Sequence, residues 1–284
     1  MKDLIVGASL SKSGIEAIAC DDQFNILETE LRPFPGHLGK ESLATKVEKT
    51  ITSLASYHKA KAVGVTLPAV FSPDGKKIES CSIEELEGAN FFQLLSKRID
   101  LPIYVLRRNF CTILSEQAFG KAKDYKNVIL VEIGSEISAS FLIDGKIYRG
   151  TNRAAGEIAD VIVDITREKR NGSGDFNSLV SGRGLEELTG KSVYEILRNN
   201  PKSELVNQQL LRDLKDSLLT EFYNLKRMLD PELFIVGGDI VENFSLFKGA
   251  FNDLGVKVVK SELGRTSAAL GAAIAAYNQI KRRA

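Results

Sequence analysis

The sequence predicts a duplicated α/β fold made of two lobes around a central cleft. The chain has 284 residues, which is long for one compact core and comfortable for two lobes. Its hydrophobic fraction of 43% is that of an ordinary soluble globular protein. Most importantly, three strands followed by alternating helices and strands occur twice along the chain. Ligands commonly bind between two such lobes, so the pattern also predicts the place of a functional site.

The first lobe opens with three predicted strands. Alternating apolar residues indicate a strand, as at Ile15, Ala17 and Ala19 in "SGIEAIACD". A helix follows in "ESLATKVEKTITSLASYH", and its apolar face is Leu43, Val47, Ile51 and Leu54. Further along are a buried strand "KAVGVTLPA", a turn "SPDGK" and a short helix "NFFQLLSKRI". The lobe ends in a strand over Pro102–Leu106 and a helix that starts near Asn109.

The second lobe repeats this plan, beginning with the strand "NVILVEIGS". Asp144-Gly145 lies between two strand-like runs and predicts a hairpin with a type I′ turn. An irregular region, "TNRAAGEIADVIVDITREKRNGSGDFNS", comes next. Three helices follow, near "LVSGRGLEELTG", near "SVYEILRN", and from about Glu204 to Met228, where Asp230-Pro231 ends the last one.

The chain closes with a strand, a helix, a short strand and a terminal helix, in that order: "ELFIVGG", "VENFSLFKGAFNDL", "VKVVKSEL" and "SAALGAAIAAYNQIKRR". We therefore expect an N-terminal lobe over residues 1–118 and a C-terminal lobe over residues 119–265. The terminal helix, residues 266–284, is expected to pack back on the N-terminal lobe.

Composition and charge exclude several classes of function. Lys and Arg number 38 against 37 Asp and Glu, and a net charge of +1 argues against a broad nucleic-acid-binding surface. No secretory signal and no membrane-spanning apolar run are visible, so we expect a cytoplasmic protein that binds neither nucleic acid nor membrane. Cys20, Cys81 and Cys111 form no CxxC pair, which predicts reduced, buried thiols rather than a structural zinc site.

Residues 120–164, "GKAKDYKNVILVEIGSEISASFLIDGKIYRGTNRAAGEIADVIVD", closely resemble the ROK family of bacterial sugar kinases and sugar-responsive repressors. "VSGRGLEEL", "DPELFIVGGDI" and "SAALGAAIAA" also resemble family segments and follow in the family's order. The resemblance covers nearly the whole chain and fits the kinase-length members, since no DNA-binding segment fits before the first strand. It implies an actin-like ATPase (ribonuclease H-like) fold, a sugar or sugar phosphate as ligand, and a homodimer formed through the C-terminal lobe.

The family's catalytic base is the aspartate of an Asn-Asp pair that precedes a helix ending in Leu-x-Glu. Counting back from Leu114-Ser115-Glu116 places Arg107 and Arg108 on that pair. If the alignment is shifted by two, Asn109 matches the asparagine and Phe110 replaces the aspartate. A guanidinium cannot accept a proton at neutral pH, and a general base usually contributes a factor of about 10² to 10⁴. No catalytic residue is therefore predicted.

Both phosphate-binding turns of the family are also altered. The Asp-x-Gly-Gly-Thr turn aligns with residues 9–13, "SLSKS", which lack both glycines and the aspartate that would help to hold the metal. Lys12 there could contact a phosphate or be a solvated turn residue. The second turn aligns with residues 134–139, "GSEISA", where Glu136 places a charge at the position of a γ-phosphate. Two like unit charges about 4 Å apart repel by roughly 4 kcal/mol at an effective dielectric constant near 20. The remaining candidates for nucleotide binding are Gly134, Ser135, Gly237 and Gly238.

The family's zinc site needs a histidine after Gly-Glu-Ile and cysteines in the next loop. Here Asp160 stands at the histidine position and the loop has no cysteine, so we expect no zinc. Three residues lie at the family's sugar-contacting positions: Glu157, Asn177 in place of a glutamate, and Ser82 in place of an asparagine. An alternative interpretation of Glu157 is that "AAGE" begins a helix, whose N-terminal end favours a carboxylate.

Arg107, Arg108 and Asn109 complete the predicted ligand-binding set. The two arginines could bind the anionic group of a phosphorylated or acidic sugar, or they could pair with Glu157, Asp160 or Glu136. Departures at four places favour a non-catalytic sugar-binding, sugar-phosphate-binding or scaffold protein that needs no cofactor. The alternative is an active ATP-dependent sugar kinase, similar to glucokinase, which would need ATP and magnesium. A DNA-binding regulator is disfavoured by the near-zero charge.

Overall fold

The computed structural model describes residues 3–34, 37–190, 205–238, 241 and 244–282. The chain divides into two compact units. Unit 1 comprises residues 1–123, 149–154 and 263–284, and unit 2 comprises residues 124–148 and 155–262. Within the described ranges, we find no helix with the length and apolar character needed to cross a membrane.

Unit 1 begins with a strand meander and continues with helices and strands in alternation. Its elements before unit 2, in chain order, are β1 (Leu4–Ser11), β2 (Gly14–Asp21), β3 (Ile26–Pro33), α1 (Lys40–Thr52), β4 (Ala60–Leu67), β5 (Ala69–Phe71), β6 (Ile78–Cys81), α2 (Phe91–Ser96), β7 (Ile103–Arg107) and α3 (Arg108–Phe119).

The main sheet of unit 1 has the strand order β3-β2-β1-β4-β7. β2 runs antiparallel to both β1 and β3, whereas β4 runs parallel to β1 and β7. The apolar face predicted for α1 is confirmed, because Leu43, Val47 and Ile51 are buried against this sheet, as is Leu54 just beyond the helix. The sequence did not predict the small β5–β6 hairpin, which encloses the correctly predicted "SPDGK" turn.

Unit 2 contains the second meander and most of the helices. Its elements, in chain order, are β8 (Val128–Ile133), β9 (Ile137–Ile143), β10 (Lys146–Tyr148), α4 (Ile165–Asn171), α5 (Phe176–Val180), α6 (Gly182–Thr189), α7 (Leu205–Leu229), β11 (Leu233–Gly237), α8 (Phe244–Phe247) and β12 (Lys257–Lys260). The terminal helix α9 (Ser267–Lys281) belongs to unit 1.

The sheet of unit 2 repeats the topology of the sheet of unit 1. Its strand order is β10-β9-β8-β11-β12, with the first three strands antiparallel and β11 parallel to both β8 and β12. The predicted duplication is therefore confirmed strand by strand. The predicted type I′ turn is also present, since Asp144 and Gly145 both have positive φ, at 52° and 73°.

Helix α9 packs unusually close to the sheet of unit 1 because small residues line both surfaces. A Cβ atom on Gly7 or Gly64 would overlap a backbone carbonyl of α9, and one on Gly271 would overlap the carbonyl of Cys111 in α3. These glycines are thus required by close approach of backbones rather than by turn geometry. The three cysteines are free and buried, as the sequence predicted.

Several sequence predictions for unit 2 need correction. The region expected to be irregular contains α4, which Asp164 caps by accepting hydrogen bonds from the N–H groups of Thr166 (2.9 Å) and Arg167 (3.0 Å). The helix expected in "VENFSLFKGAFNDL" is α-helical only over Phe244–Phe247 and continues as a 3₁₀ helix, Lys248–Leu254. The long helix is confirmed as α7, whereas the helix predicted in "SVYEILRN" lies outside the described residues.

Candidate functional site

The candidate site in unit 1 lies where strands β4 and β7 end, since Leu67 and Arg107 are paired neighbours in the parallel ladder. Ligand-binding groups are typically mounted at this carboxyl edge of an α/β sheet. β7 ends at Arg107 and α3 begins at Arg108, one residue before the predicted Asn109. Arg107 occupies the N-cap position, and its side chain makes no capping hydrogen bond.

Arg107 is a buried structural anchor, with only 5% of its surface exposed. Its Nη1 donates a hydrogen bond to the carbonyl oxygen of Arg153. Its guanidinium carbon lies 4.8 Å from the centre of the Phe110 ring, a cation–π distance. Arg107 therefore holds residues 149–154 against the start of α3.

Arg108 is half-buried and faces Glu16 on strand β2. Burial raises the pKa of the Glu16 carboxyl, and the positive charges of Arg108 and Arg265 counteract part of that rise. Glu16 is paired with Ser9 across the β1–β2 ladder. Ser9 is the position at which the resemblance would require the metal-binding aspartate. The guanidinium at the expected base position therefore interacts with a neighbouring carboxylate of the protein.

Asn109 and Ser82 lie at the same end of this sheet. Asn109 is 5% exposed on the first turn of α3. Ser82 is half-buried, and its backbone N–H donates to the carbonyl of Pro68, directly after β4, at 3.2 Å. Of the predicted ligand-binding residues, Ser82, Arg107, Arg108 and Asn109 are thus brought to one edge of unit 1.

The first phosphate turn is a tight hairpin rather than an open loop. Ser11 pairs with Gly14, which leaves only Lys12 and Ser13 in the turn. The Ser11 hydroxyl lies 3.0 Å from the Ser13 hydroxyl and 3.2 Å from the Gly14 carbonyl oxygen. This turn is therefore closed by its own side chains, unlike a glycine-rich loop whose backbone can approach phosphate.

The second phosphate turn aligns with residues 134–139, of which 137–139 belong to strand β9, and residues 134 and 135 support the N-terminus of α6. The carbonyls of Gly134 and Ser135 accept hydrogen bonds from the N–H groups of Gly182 (2.7 Å) and Arg183 (3.2 Å). Glu136 Oε1 lies 3.5 Å from Arg183 Nη1, in a partly exposed ion pair. The carboxylate that would repel a γ-phosphate thus contacts a cation of the protein.

The four candidates for nucleotide binding lie together in unit 2. Gly134 and Ser135 follow β8, and Gly237 and Gly238 stand at the end of β11, its parallel neighbour. Gly238 has a φ of 80°, and a Cβ atom there would overlap the carbonyl of Ile133. A glycine is therefore required at this position, so its presence is explained without a nucleotide.

Glu157 and Asn177 are joined through one short segment of unit 2. The Gly156 carbonyl accepts hydrogen bonds from the N–H groups of Ala139 (2.7 Å) and Ile158 (2.9 Å), and the Ala159 carbonyl accepts one from Asn177 (2.9 Å). Glu157 is exposed, and no helix begins at "AAGE". The helix-end interpretation of Glu157 is therefore wrong, because backbone pairing with β9 holds this segment in a non-helical conformation.

Asn177 carries a buried acceptor that has no hydrogen-bond partner among the described residues. Its side chain is 9% exposed, and its Oδ1 makes no hydrogen bond with any residue the structure describes. An unsatisfied buried polar atom costs about 1–3 kcal/mol. A sugar hydroxyl is a donor of the kind that would remove this cost.

The segment aligned with the family's zinc loop is organised by hydrogen bonds. The N–H groups of Val163 and Asp164 donate to the Gly174 carbonyl at 2.9 and 3.0 Å, and Asp175 caps α5 by accepting from the N–H of Ser178 at 2.8 Å. In the part of the chain that the structure describes, no group of three or more His, Cys, Asp or Glu side chains could hold a metal ion.

Sequence reasoning missed Arg149 and Arg153. Both are exposed and belong to unit 1 through residues 149–154, although they follow strand β10 of unit 2. The guanidinium carbon of Arg149 lies 5.7 Å from the centre of the Phe110 ring. Nothing local in "YRGTNRAAG" indicates this contact, because Arg149 and Phe110 are far apart in the sequence.

Comparisons with known proteins agree on one family. The model of the ROK family matches residues 6–279. A beta-glucoside kinase of Listeria monocytogenes is 25% identical over 200 residues, which are 66% of this chain and 67% of that protein.

Solved structures agree on the fold. The ROK hexokinase of Thermus thermophilus has a TM-score of 0.83 at 18% identity and covers 98% of this chain and 99% of its own. The ROK glucokinase of Streptomyces griseus, in complex with glucose and AMPPNP, has a TM-score of 0.82 at 18% identity over 97% and 99% of the two chains. The predicted actin-like ATPase fold is confirmed, and this chain belongs to the ROK family.

Proposed function

We propose that this ROK protein binds a sugar or sugar phosphate without transferring a phosphoryl group to it. Its biological role would then be that of a binding or scaffold protein that needs neither ATP nor magnesium. The family's sugar-kinase relatives support the ligand class, and the altered residues support the loss of catalysis. ATP-dependent sugar phosphorylation remains the alternative.

The observation that carries this proposal is the environment of Arg108. In sugar phosphorylation, a base must accept a proton from the attacking hydroxyl, and a guanidinium has no acceptor. Arg108 also acts on Glu16, so its charge has a counterpart within unit 1. Arg108 thus has a charge partner in Glu16, which an arginine that replaced the aspartate by chance would not be expected to have.

The two phosphate turns add independent support. The first is a two-residue hairpin closed by serine hydroxyls, and the second carries Glu136 paired with Arg183. Phosphoryl-transfer enzymes depend on positioning and on neutralising the developing charge of the phosphate oxygens. Neither turn offers the glycine-rich backbone that does this in related folds, which is why we propose no nucleotide cofactor.

The ligand side of the proposal rests on Glu157 and Asn177. Glu157 is an exposed carboxylate, and the buried Oδ1 of Asn177 is an unsatisfied acceptor. The two residues are linked because the Asn177 N–H donates to the carbonyl of Ala159, two residues after Glu157. Carboxylate and amide oxygens suit the hydroxyl donors of a sugar. The Streptomyces griseus relative, whose structure contains glucose, makes a hexose the first compound to test.

Calorimetric titration with a panel of neutral and phosphorylated hexoses tests binding. We expect the affinity for a bound sugar to fall about tenfold in Asn177→Ala, since one hydrogen bond to a buried acceptor is lost. Asn171→Ala is the matched control, because Asn171 is exposed and its Oδ1 accepts from the Ser173 hydroxyl at 2.8 Å. Equal affinity in wild type and Asn177→Ala would show that Asn177 does not contact the sugar.

A cytoplasmic homodimer is also part of this proposal. Helix α7 exposes Tyr223, Met228 and Leu229 to 44%, 67% and 37%, which is apolar surface suited to a second copy of the chain. Light scattering of wild type and Met228→Glu tests this, and we expect a dimer that the added charge weakens. A monomeric wild type at micromolar concentration would contradict it.

A further inference from the structure

We propose that Arg149 binds the anionic group, phosphate or carboxylate, of an acidic sugar. Residues 149–154, here named the arginine turn, present Arg149 beside the Phe110 ring at the start of α3. This inference rests on the proposed function and narrows its ligand class from sugars in general to anionic ones.

The arginine turn is held in one conformation. The buried Arg107 donates to the Arg153 carbonyl, and the Arg153 N–H donates to the Gly150 carbonyl at 3.3 Å. Arg153 has a φ of 56°, which is uncommon for a residue with a side chain and indicates a backbone fixed by its surroundings. The turn therefore positions its side chains before any ligand arrives.

Arg149 is oriented but keeps its hydrogen-bond donors available. Its guanidinium carbon lies 5.7 Å from the centre of the Phe110 ring, and the Phe110 side chain is buried. Across the ranges that the structure describes, Arg149 forms no ion pair. A guanidinium stacked on a ring can still direct its planar fork of N–H groups at a phosphate or carboxylate.

Positive charge accumulates around this turn. The guanidinium carbons of Arg107 and Arg149 lie 4.8 and 5.7 Å from the centre of the same ring, that of Phe110. The two cations are therefore no further apart than about 10 Å, which is roughly the Debye length at 0.1 M salt. Arg153 is a third cation on the turn, and its guanidinium lies beside Gly75, with Nη1 3.6 Å from the position that a Cβ atom of residue 75 would occupy. An anion bound here would be attracted by several charges at once.

The chemistry of arginine selects against neutral sugars. A guanidinium donates hydrogen bonds and accepts none, whereas each sugar hydroxyl both donates and accepts. Phosphate and carboxylate are acceptors only and match the fork in two parallel hydrogen bonds. An overall charge of +1 gives no general affinity for polyanions, so a small anionic ligand fits best.

Thermal-shift and calorimetric titrations with inorganic phosphate, glucose 6-phosphate, glucuronate and glucose test this assignment. We expect glucose 6-phosphate or glucuronate to bind more tightly than glucose, with an affinity that falls as salt rises. Arg149→Ala should weaken binding of the anionic sugar about tenfold or more, and Arg149→Lys should weaken it less. A response to phosphate but not to glucuronate would assign the site to phosphate esters, and the reverse result would assign it to sugar acids.

Arg227→Ala is the matched control, because Arg227 is another exposed arginine over an aromatic ring, 5.0 Å from the centre of Tyr223. It should leave anion binding unchanged. The inference is overturned if the anionic probes do not bind wild type at millimolar concentration, if glucose binds as tightly, or if Arg149→Ala binds them normally. None of these results depends on phosphoryl transfer, whose detection would instead overturn the proposed function.

Discussion

Adjacent arginines at the end of β7 have different roles in this protein. Arg107 is buried and anchors the arginine turn, whereas Arg108 is half-buried and acts on Glu16. The sequence left open whether the pair binds an anion or forms structural contacts. For Arg107, the structure shows a contact within unit 1. We propose the anion-binding role for Arg149, which lies beside the same Phe110 ring.

Replacing Arg107 with alanine should destabilise unit 1 and loosen the arginine turn. The variant loses a hydrogen bond to the Arg153 carbonyl and a cation–π contact with Phe110, and we expect a loss of about 2 kcal/mol in the free energy of unfolding. Limited digestion with trypsin, which cleaves after arginine, should then cut after Arg149 and Arg153 faster than in wild type.

Arg98→Ala provides the control for that digestion. Arg98 is partly buried, donates to the Leu94 carbonyl at 2.7 Å and pairs with Glu41 at 2.5 Å, far from the arginine turn in sequence. This variant should lose stability without faster cleavage at residues 149 and 153. Unchanged cleavage in Arg107→Ala would show that Arg107 does not hold the turn.

Glu221 is a buried carboxyl in the apolar face of α7, with 1% of its surface exposed. Burial raises its pKa to about 7, and a nearby Asn224 offsets only part of that rise. Neither carboxyl oxygen makes a hydrogen bond of normal geometry with a described residue. In the folded protein this group therefore holds its proton at pH values at which the unfolded chain has lost it.

The sign of the pH effect follows from that raised pKa. The folded state binds a proton more tightly than the unfolded state, so the contribution of Glu221 to stability is present at low pH and is lost as the pH rises towards 7. The loss is about 3 kcal/mol at most. Glu221→Gln should be more stable than wild type at about pH 8 and close to it at about pH 4. Urea unfolding of both proteins at the two pH values measures this, and a difference that does not change with pH would refute it.

At the scale of elements, the contact of α9 with the sheet of unit 1 depends on glycines. A methyl group at position 64 would overlap the Ala272 carbonyl, which belongs to the backbone of α9. We expect Gly64→Ala to lower the free energy of unfolding by about 2 kcal/mol or more, as overpacking does in other cores. Gly249→Ala is the control, because nothing lies near the position of its added methyl group. Equal stability of the two variants in urea would show that α9 can shift away at little cost.

Apolar patterns in the sequence predicted some of these elements and missed others. Both meanders, α1 and α7 were predictable because period-two and helical apolar patterns determine which face is buried, as in Leu43, Val47 and Ile51. Helix α4 was missed because none of its residues is buried, so no apolar stripe marks it. Its Asp164 cap and its left-handed Gly172, with φ 66°, were local signals that could have identified it.

The sequence could predict only those residues of the candidate site that a strand end or a family motif marks. The end of a predicted strand puts Arg107 and Arg108 at a sheet edge, and the family resemblance puts Glu157 and Asn177 at sugar-contacting positions. Two features required three-dimensional coordinates: the unsatisfied Oδ1 of Asn177 and the contact of Arg149 with Phe110. Both depend on residues distant in sequence, so no local pattern could indicate them.

At the scale of the whole molecule, the duplicated fold of the family is present, while the base position and both phosphate turns differ from the pattern that the family resemblance implies. The two sheets share one strand order, and the ROK family model spans residues 6–279. The fold therefore does not determine the activity, which has to be argued from the residues of the site. Because the base position and both phosphate turns differ, restoring an aspartate at position 108 alone should not create a kinase.

Sugar-dependent ATP consumption, measured in a coupled assay over a panel of hexoses, tests the central claim most directly. We predict no turnover above background for wild type or for Arg108→Asp, even with a sugar that binds in calorimetry. Turnover by wild type that is lost in Glu157→Ala and retained in Arg108→Ala would contradict the account, because it would show phosphoryl transfer by this site without a base at position 108.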